Sequence, residues 1–116
     1  MDTVLLMVAG AGGLLISLAH GRLGQRMILS RITGLSDGSR RINQAVFQLS
    51  TLYWFLGGVL LMLAPFVFEP AVRTAVVVLV AGAYLAGGLG NIWAMRGRHF
   101  GGPLLIAVGI TAIIGV

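Results

Sequence analysis

The sequence predicts an all-α protein, a membrane-spanning four-helix up-down bundle with both termini on the non-cytoplasmic side. The 116 residues are 58% hydrophobic and 9% charged, with a mean hydropathy of +1.00, whereas soluble domains are roughly 45–50% apolar and about 25% charged. The apolar residues form four runs, and the arginines collect at the edges of those runs. We therefore expect a single transmembrane domain over 1–116, with helices at about 3–20, 42–68, 71–95 and 102–116 and a basic cytoplasmic loop at 21–41.

The first apolar run, Thr3 to Ala19, is long enough for most of a membrane crossing. As a helix it would extend about 26 Å at ~1.5 Å per residue, close to the ~30 Å hydrocarbon core. The acidic start at Asp2 is unlike the positive leading region of a signal peptide, so we predict a retained helix. Small residues recur at every fourth position and predict a close contact with another helix. They are Ala9, Gly13, Ser17 and Gly21.

The segment 22–32 has two interpretations. It mixes apolar residues with Arg22, Arg26 and Arg31, so it either continues the first helix or lies in the headgroup layer as a short amphipathic helix. The sequence does not separate these two. The following segment, 33–39, has the glycines and helix-capping residues of a turn.

The second apolar run extends from Leu49 to Phe68, and its aromatic residues near the start are typical of a membrane interface. The third run, Ala71 to Ala94, follows a very short turn at Glu69-Pro70, so the two helices must form an antiparallel hairpin. The last run, Pro103 to Val116, would extend only about 21 Å at ~1.5 Å per residue. It therefore requires local thinning of the bilayer or burial against the other helices.

Two further small-residue stripes predict helix packing: Gly82, Ala86 and Gly90 on the third helix, and Ala107, Thr111 and Gly115 on the fourth.

Charge asymmetry sets the predicted orientation. Five of the eight basic residues lie in the loop between the first two helices, and the opposite side holds only Asp2, Glu69, Arg73 and the C-terminus. The positive-inside rule therefore directs the basic loops to the cytoplasm. We assign the net charge of +5 to contact with anionic lipid headgroups rather than nucleic acid. The expected headgroup residues are Arg22, Arg26, Arg40, Arg41, Arg96 and Arg98.

Polar residues cluster near the predicted cytoplasmic ends of the first three helices. If the faces that carry them meet, they form a polar pocket that opens to the cytoplasm. Such groups either hydrogen-bond between helices and hold the bundle together or bind a ligand or ion. The pocket residues are His20, Gln44, Gln48, Thr51, Tyr84 and Asn91.

The sequence predicts no enzyme, no metal site and no cofactor. It has no cysteine, no phosphate-binding loop, and no nucleophile–base pair or carboxylate dyad within the apolar runs. His20 and His99 are the only two histidines, and a haem held by both would need both rings to point into one cavity. His99 instead lies in an arginine-rich turn. Proton-coupled export of the small multidrug resistance type requires a glutamate within the first helix, and that helix has none.

Three short segments resemble a group of small four-helix bacterial membrane proteins with no known activity. Residues 19–26 are similar to their His-x-x-Leu-Gly-Glu-Arg stretch, residues 47–54 to their Trp-His-Leu-Thr pattern before paired aromatics, and residues 98–104 to their Gly-Trp-Pro-Leu restart of the fourth helix. The resemblance implies four helices and brings no activity with it. The chain differs from the pattern at Gln25, Gln48 and Gly102, where the group has an acidic residue, a histidine and a tryptophan.

We therefore expect a small, non-catalytic protein of the bacterial inner membrane, multi-pass, that acts through helix–helix contacts. Its expected partners, besides the lipid bilayer, are the other subunits of a larger bioenergetic complex, to which it would be an accessory or assembly subunit, or further copies of itself. The alternative is a small transporter or channel, or a lipid- or quinone-binding protein, that uses the polar pocket.

Overall fold

The structure, a computed structural model, describes residues 1–116 and confirms an all-α protein with four helices. They are α1 (Thr3–Met27), α2 (Asp37–Val67), α3 (Pro70–Ala94) and α4 (Gly101–Ile114), with a short 3₁₀ helix at Leu29–Arg31. The first three are long and apolar enough to cross a membrane, and α4 is a shorter apolar helix.

Helix α1 continues beyond residue 20, where the sequence placed its end. It begins with Asp2 as N-cap, whose carboxylate accepts hydrogen bonds from the amides of Val4 (2.9 Å) and Leu5 (3.1 Å). Its last turns are held against α2, because Gly21 and Gly24 lie in contact with side chains of that helix. The segment 22–32 is thus helical as far as Met27 and then forms the 3₁₀ turn.

Helix α2 begins at Asp37, one to two turns before the predicted start at residue 42. Ser36 is the N-cap, and its hydroxyl accepts a hydrogen bond from the Ser39 amide at 3.2 Å. Asp37 in the first turn adds a favourable interaction with the positive end of the helix dipole. The last residues of the segment predicted as a turn, 36–39, therefore form the capped start of this helix.

Helix α3 begins with Pro70 in its first turn, where the missing amide hydrogen costs nothing. It ends in a left-handed turn, in which Arg96 has φ 50° and Gly97 has φ 71°. The Gly97 amide donates to the Ile92 carbonyl at 2.9 Å, which closes the end of the helix.

The four helices form two closely packed antiparallel pairs, α1 with α2 and α3 with α4. The pairs meet mainly through α1 and α4, and to a smaller extent through α2 and α3. The Asp2 amide donates to the Gly115 carbonyl at 2.9 Å, so the two chain ends lie together. Loops 28–36 and 95–100 are therefore at the opposite end of the molecule, called the basic end below because it carries seven of the eight arginines.

Reciprocal glycine contacts explain the close packing within each pair. A Cβ atom added at Gly10 of α1 would lie 2.7 Å from the Gly58 carbonyl oxygen of α2, and one added at Gly58 would lie 2.8 Å from the Gly10 oxygen. Gly88 of α3 and Gly102 of α4 have the same relationship, at 2.8 Å in both directions. At these crossings the backbones themselves are in contact, as small residues permit between membrane helices.

The core is narrow and the outer surface is apolar. Fully buried side chains such as Leu6, Leu61 and Leu105 fill the centre, while Leu79 (73% exposed) and Phe66 (69%) face outward. The molecule measures 50 × 25 × 18 Å, and its long axis exceeds the ~40–45 Å of a bilayer with headgroups. An apolar exterior on helices of this length is compatible with a membrane protein.

Candidate functional site

The histidine predicted for the polar pocket is held between two aromatic rings of α2. The His20 imidazole stacks on Phe47 with ring centroids 4.1 Å apart and planes at 11°, and it meets Trp54 edge-on at 4.5 Å and 64°. Its Nε2 lies 3.4 Å from the Ser50 hydroxyl, which itself donates to the Phe47 carbonyl at 2.7 Å. His20 is therefore an aromatic packing residue at the junction of α1 and α2.

Gln48 also joins α1 to α2. Its Nε2 donates to the Gly21 carbonyl at 3.3 Å and to Gln25 Oε1 at 3.4 Å. A Cβ atom at Gly21 would lie 2.8 Å from a methyl group of Thr51, so the missing side chain permits this approach. The Thr51 hydroxyl donates back to the Phe47 carbonyl of its own helix at 3.2 Å.

The remaining predicted pocket residues do not converge on this group. Tyr84 is 1% exposed in the centre of the molecule, where its hydroxyl donates to the Trp54 carbonyl at 2.5 Å and lies against Gly13. Asn91 donates to the Gly87 carbonyl of its own helix at 3.4 Å. Gln44 is half-buried one turn before Gln48. The structure thus brings His20, Gln48 and Thr51 together and leaves Tyr84 and Asn91 on separate contacts.

The six predicted headgroup arginines are all exposed and all lie at the basic end. Arg22 and Arg26 are on the last turns of α1, and Arg40 and Arg41 are on the first turns of α2. The other two, Arg96 and Arg98, follow α3. The ends of three helices therefore present positive charge in one region of the surface.

The three predicted packing stripes lie in different surroundings. Ala9, Gly13 and Ser17 are buried against the other helices. By contrast, Gly82, Ala86 and Gly90 are exposed, and no atom lies within 4 Å of a Cβ added at Gly82 or Gly90. Within the chain, α3 packs through a neighbouring face, and this stripe is left uncovered. The packing residues are Val77, Ala81, Tyr84 and Gly88.

The stripe on α4 is only partly covered within the chain. Ala107 is exposed and Thr111 is half-buried, with the Thr111 hydroxyl donating to the Ala107 carbonyl at 2.8 Å; only Gly115 is buried. Helix α4 instead packs through Gly102, Leu105, Val108, Gly109 and Ala112. Several small residues occur on each helix, and periodicity alone does not say which of them face another helix of the same chain.

A groove lies between α2 and α3 and has a volume of about 530 Å³. Its floor is formed by Gly57, Val80 and Tyr84, and its walls by larger apolar side chains such as Leu60 and Leu79. The sequence offered a weak indication of this groove, since Gly57 and Ala83 place small residues on facing stretches of the hairpin.

The contact of Phe47 and Trp54 with His20 had no separate indication in the sequence, because aromatic residues at that depth are also expected at a membrane interface.

Comparisons with known proteins do not assign this arrangement. The chain matches no protein-family model, no curated protein and no solved structure. No group of three or more histidine, cysteine or acidic side chains lies close enough to hold a metal ion.

Proposed function

We propose that this chain is a non-catalytic, multi-pass protein of the bacterial inner membrane that docks on a transmembrane helix of a larger membrane complex and serves as an accessory or assembly subunit. In this proposal the helices run up and down across the bilayer, with both termini outside. The concentration of arginines at the basic end supports that orientation. The three connections between the helices are short, so contacts with partners would be made mainly within the membrane.

The outer face of α3 is the observation that carries this proposal. Of the glycines in the apolar parts of the four helices, all but Gly82 and Gly90 have a neighbouring atom within 4 Å of an added Cβ. These two lie eight residues apart with Ala86 between them, so they form one continuous shallow strip on the helix. A glycine within a helix is unfavourable unless a close approach needs it. The strip has the shape that another helix would need, and this chain does not fill it.

Large side chains flank the strip and support the same conclusion. Leu79 is 73% exposed, Leu89 62% and Trp93 84%. Small residues between large ones make a surface into which the side chains of a second helix can interdigitate. A partner helix on this face would cover both the strip and these side chains.

The transport or ligand-binding alternative has less support. The polar groups expected to line a pocket are hydrogen-bonded to nearby backbone or to each other: Tyr84 to Trp54, Asn91 to Gly87, and Gln48 to Gly21 and Gln25. A catalytic role for the Ser50–His20 pair is also unsupported. The Ser50 proton is directed to a carbonyl, and the nearest acidic residue along α2, Asp37, is about 20 Å away at ~1.5 Å per residue.

The test is native mass spectrometry of the protein extracted from its own membranes in mild detergent at natural abundance. We expect a defined heteromeric mass for the natural chain and loss of the partner from a Gly82→Leu, Gly90→Leu double variant. Ala11→Leu, at an exposed alanine of α1, is the matched control and should keep the partner. A stable monomer of the natural chain would contradict the proposal, and a homo-oligomer sensitive to the same double variant would replace the partner subunit by a second copy.

A further inference from the structure

The groove between α2 and α3 is an apolar surface that the chain leaves open. The two helices diverge there, because α2 packs chiefly on α1 and α3 on α4. The facing residues Gly57 and Ala83 are too small to fill the gap. Trp54 lies at one end of the groove, where its ring contacts Gly87, and Leu60 lies near the other.

The length of the groove fits an acyl chain within one membrane leaflet. Along α2 it extends from Ser50 to Leu60, about 15 Å at ~1.5 Å per residue. One leaflet of the hydrocarbon core is also about 15 Å thick, half of the ~30 Å total.

The lining of the groove offers little to a polar ligand. Eight of its ten residues are hydrophobic. Two of its hydroxyl groups are already used within the protein, since Ser50 donates to the Phe47 carbonyl at 2.7 Å and Tyr84 donates to the Trp54 carbonyl at 2.5 Å. A polar occupant would lose its hydrogen bonds with water without replacing them there. The occupant is therefore apolar along the length of the groove.

The arginines identify the other end of the occupant. Trp54 of α2 contacts Gly87 of α3, and Gly57 contacts Val80, so the start of α2 and the end of α3 lie at the same end of the groove. Arg40 and Arg41 precede Ser50 by about 13 to 15 Å along α2 at ~1.5 Å per residue. On the facing helix, α3 is followed by further exposed arginines, Arg96 and Arg98. Guanidinium groups form strong paired hydrogen bonds with phosphate oxygens.

We infer that the groove between α2 and α3 binds one anionic phospholipid, with an acyl chain between Ser50 and Leu60 and its phosphate at the arginines that flank the basic end of these two helices. The lipid supplies the apolar surface missing between the helices, and the arginines select its headgroup. This site adjoins the outer strip of α3 and shares Leu79 with its flank, but its other lining residues lie outside that strip.

Lipid titration followed by native mass spectrometry tests the site. The delipidated protein is titrated with phosphatidylglycerol and, separately, with phosphatidylcholine of the same acyl chains. We expect one phosphatidylglycerol per chain and roughly tenfold weaker retention of phosphatidylcholine. Arg40→Gln with Arg41→Gln should remove that preference. Equal retention of the two lipids by the natural chain would overturn the headgroup assignment.

A pair of matched alanine variants tests the groove itself. Ala83→Leu fills the groove and should weaken phosphatidylglycerol retention roughly tenfold, whereas Ala107→Leu, at an exposed alanine of α4, should leave it unchanged. Quenching of Trp54 provides a second measurement that does not depend on mass spectrometry. With Trp93→Phe as background, phosphatidylglycerol brominated on its chains should quench Trp54, and excess unbrominated phosphatidylglycerol, but not phosphatidylcholine, should restore the fluorescence. If Ala83→Leu retains lipid as the natural chain does, the groove is not the site. If both lipids restore the fluorescence equally, the arginines do not select the headgroup.

Discussion

Gly88 on α3 and Gly102 on α4 face each other so closely that neither position has room for a side chain. A Cβ atom at either residue would lie 2.8 Å from the carbonyl oxygen of the other. The two helices therefore meet backbone to backbone, and the Cα hydrogen of each glycine is the group that faces the opposite carbonyl, an arrangement that adds weak hydrogen bonds. Helix α4 has only 14 residues, and this contact gives it a fixed position against the longer α3.

Replacing either glycine should therefore separate α3 from α4. We expect Gly88→Ala and Gly102→Ala each to lower the free energy of unfolding by roughly 1–3 kcal/mol, because the backbones must shift to admit the methyl group. Gly90→Ala is the matched control, since no atom lies within 4 Å of its added Cβ. It should leave stability unchanged or raise it by up to about 1 kcal/mol. SDS titration in mixed micelles measures these differences, and equal effects at positions 88 and 90 would contradict the packing.

The sequence predicted the existence of the four helices but not their contacts. Long apolar runs and the Glu69-Pro70 break determine where helices form, because these are local properties of the chain. The packing faces are not local. Gly82 and Gly88 both lie on α3 among other small residues, and only the position of α4 determines that Gly88 is buried and Gly82 exposed.

Tyr84 is the largest fully buried side chain and links three helices. Its hydroxyl donates to the Trp54 carbonyl of α2, and its ring lies against Gly13 of α1. Tyr84→Phe keeps the ring and removes the hydrogen bond, so it should cost about 0.5–1.5 kcal/mol. Tyr53→Phe is the control, because Tyr53 is 64% exposed and its loss should be close to zero. The same micelle titration compares them, and a cost for Tyr53→Phe as large as that for Tyr84→Phe would show that the interior hydrogen bond is not what stabilises the fold.

His20 should behave as an aromatic residue of the packing. Its ring is stacked on Phe47 and edge-on to Trp54, whereas its only side-chain polar contact, with Ser50, is long at 3.4 Å. We expect His20→Ala to cost about 1–3 kcal/mol through lost contacts, and His20→Phe to recover most of that loss. Unfolding of the two variants is compared with Trp54 emission as the signal, in a Trp93→Phe background. If Phe fails to rescue and Ser50→Ala reproduces the loss, the polar contact is the stabilising one.

The polar pocket was predicted from the spacing of polar residues along each helix. That spacing determines only which residues share a face of one helix. Gln48 and Thr51 do lie on the side of α2 that meets α1, because Gly21 of α1 has no side chain and lets α2 approach there. Asn91 shares no such contact, since α3 meets α2 through Trp54 and Gly87 instead. The relation between faces on different helices depends on their rotation, which no pattern within a single helix determines.

Removing the amides of Gln48 and Asn91 tests whether the polar residues stabilise the fold. Gln48→Leu removes the hydrogen bonds to Gly21 and Gln25, which are long and exposed, so we expect a loss below about 1 kcal/mol. Asn91→Leu removes only a bond within its own helix and should cost less than Gln48→Leu. Both variants should fold and keep the native oligomeric mass. Loss of a transport or binding activity in a folded Asn91→Leu variant would instead favour the ligand-binding alternative.

The turn after α3 contains a residue with a backbone conformation that is unfavourable for any residue with a Cβ atom. Arg96 has φ 50°, a left-handed conformation that costs a residue with a Cβ about 1–2 kcal/mol. Arg96→Gly relieves this strain, but the added glycine also increases the entropy of the unfolded chain and so offsets part of the gain. We therefore expect the free energy of unfolding to stay unchanged or to rise by up to ~1 kcal/mol. Gly97→Ala in the same turn, at φ 71°, should lower stability by about 1–2 kcal/mol. Arg98 has no such strain, so Arg98→Gly removes the same charge as Arg96→Gly without the backbone gain. Micelle unfolding of the three variants gives the comparison. If only Arg96→Gly raises the free energy of unfolding, arginine occurs at this position for its charge at the basic end and against its backbone preference. If Arg96→Gly lowers the free energy of unfolding as much as Gly97→Ala does, the Arg96 side chain itself stabilises the turn.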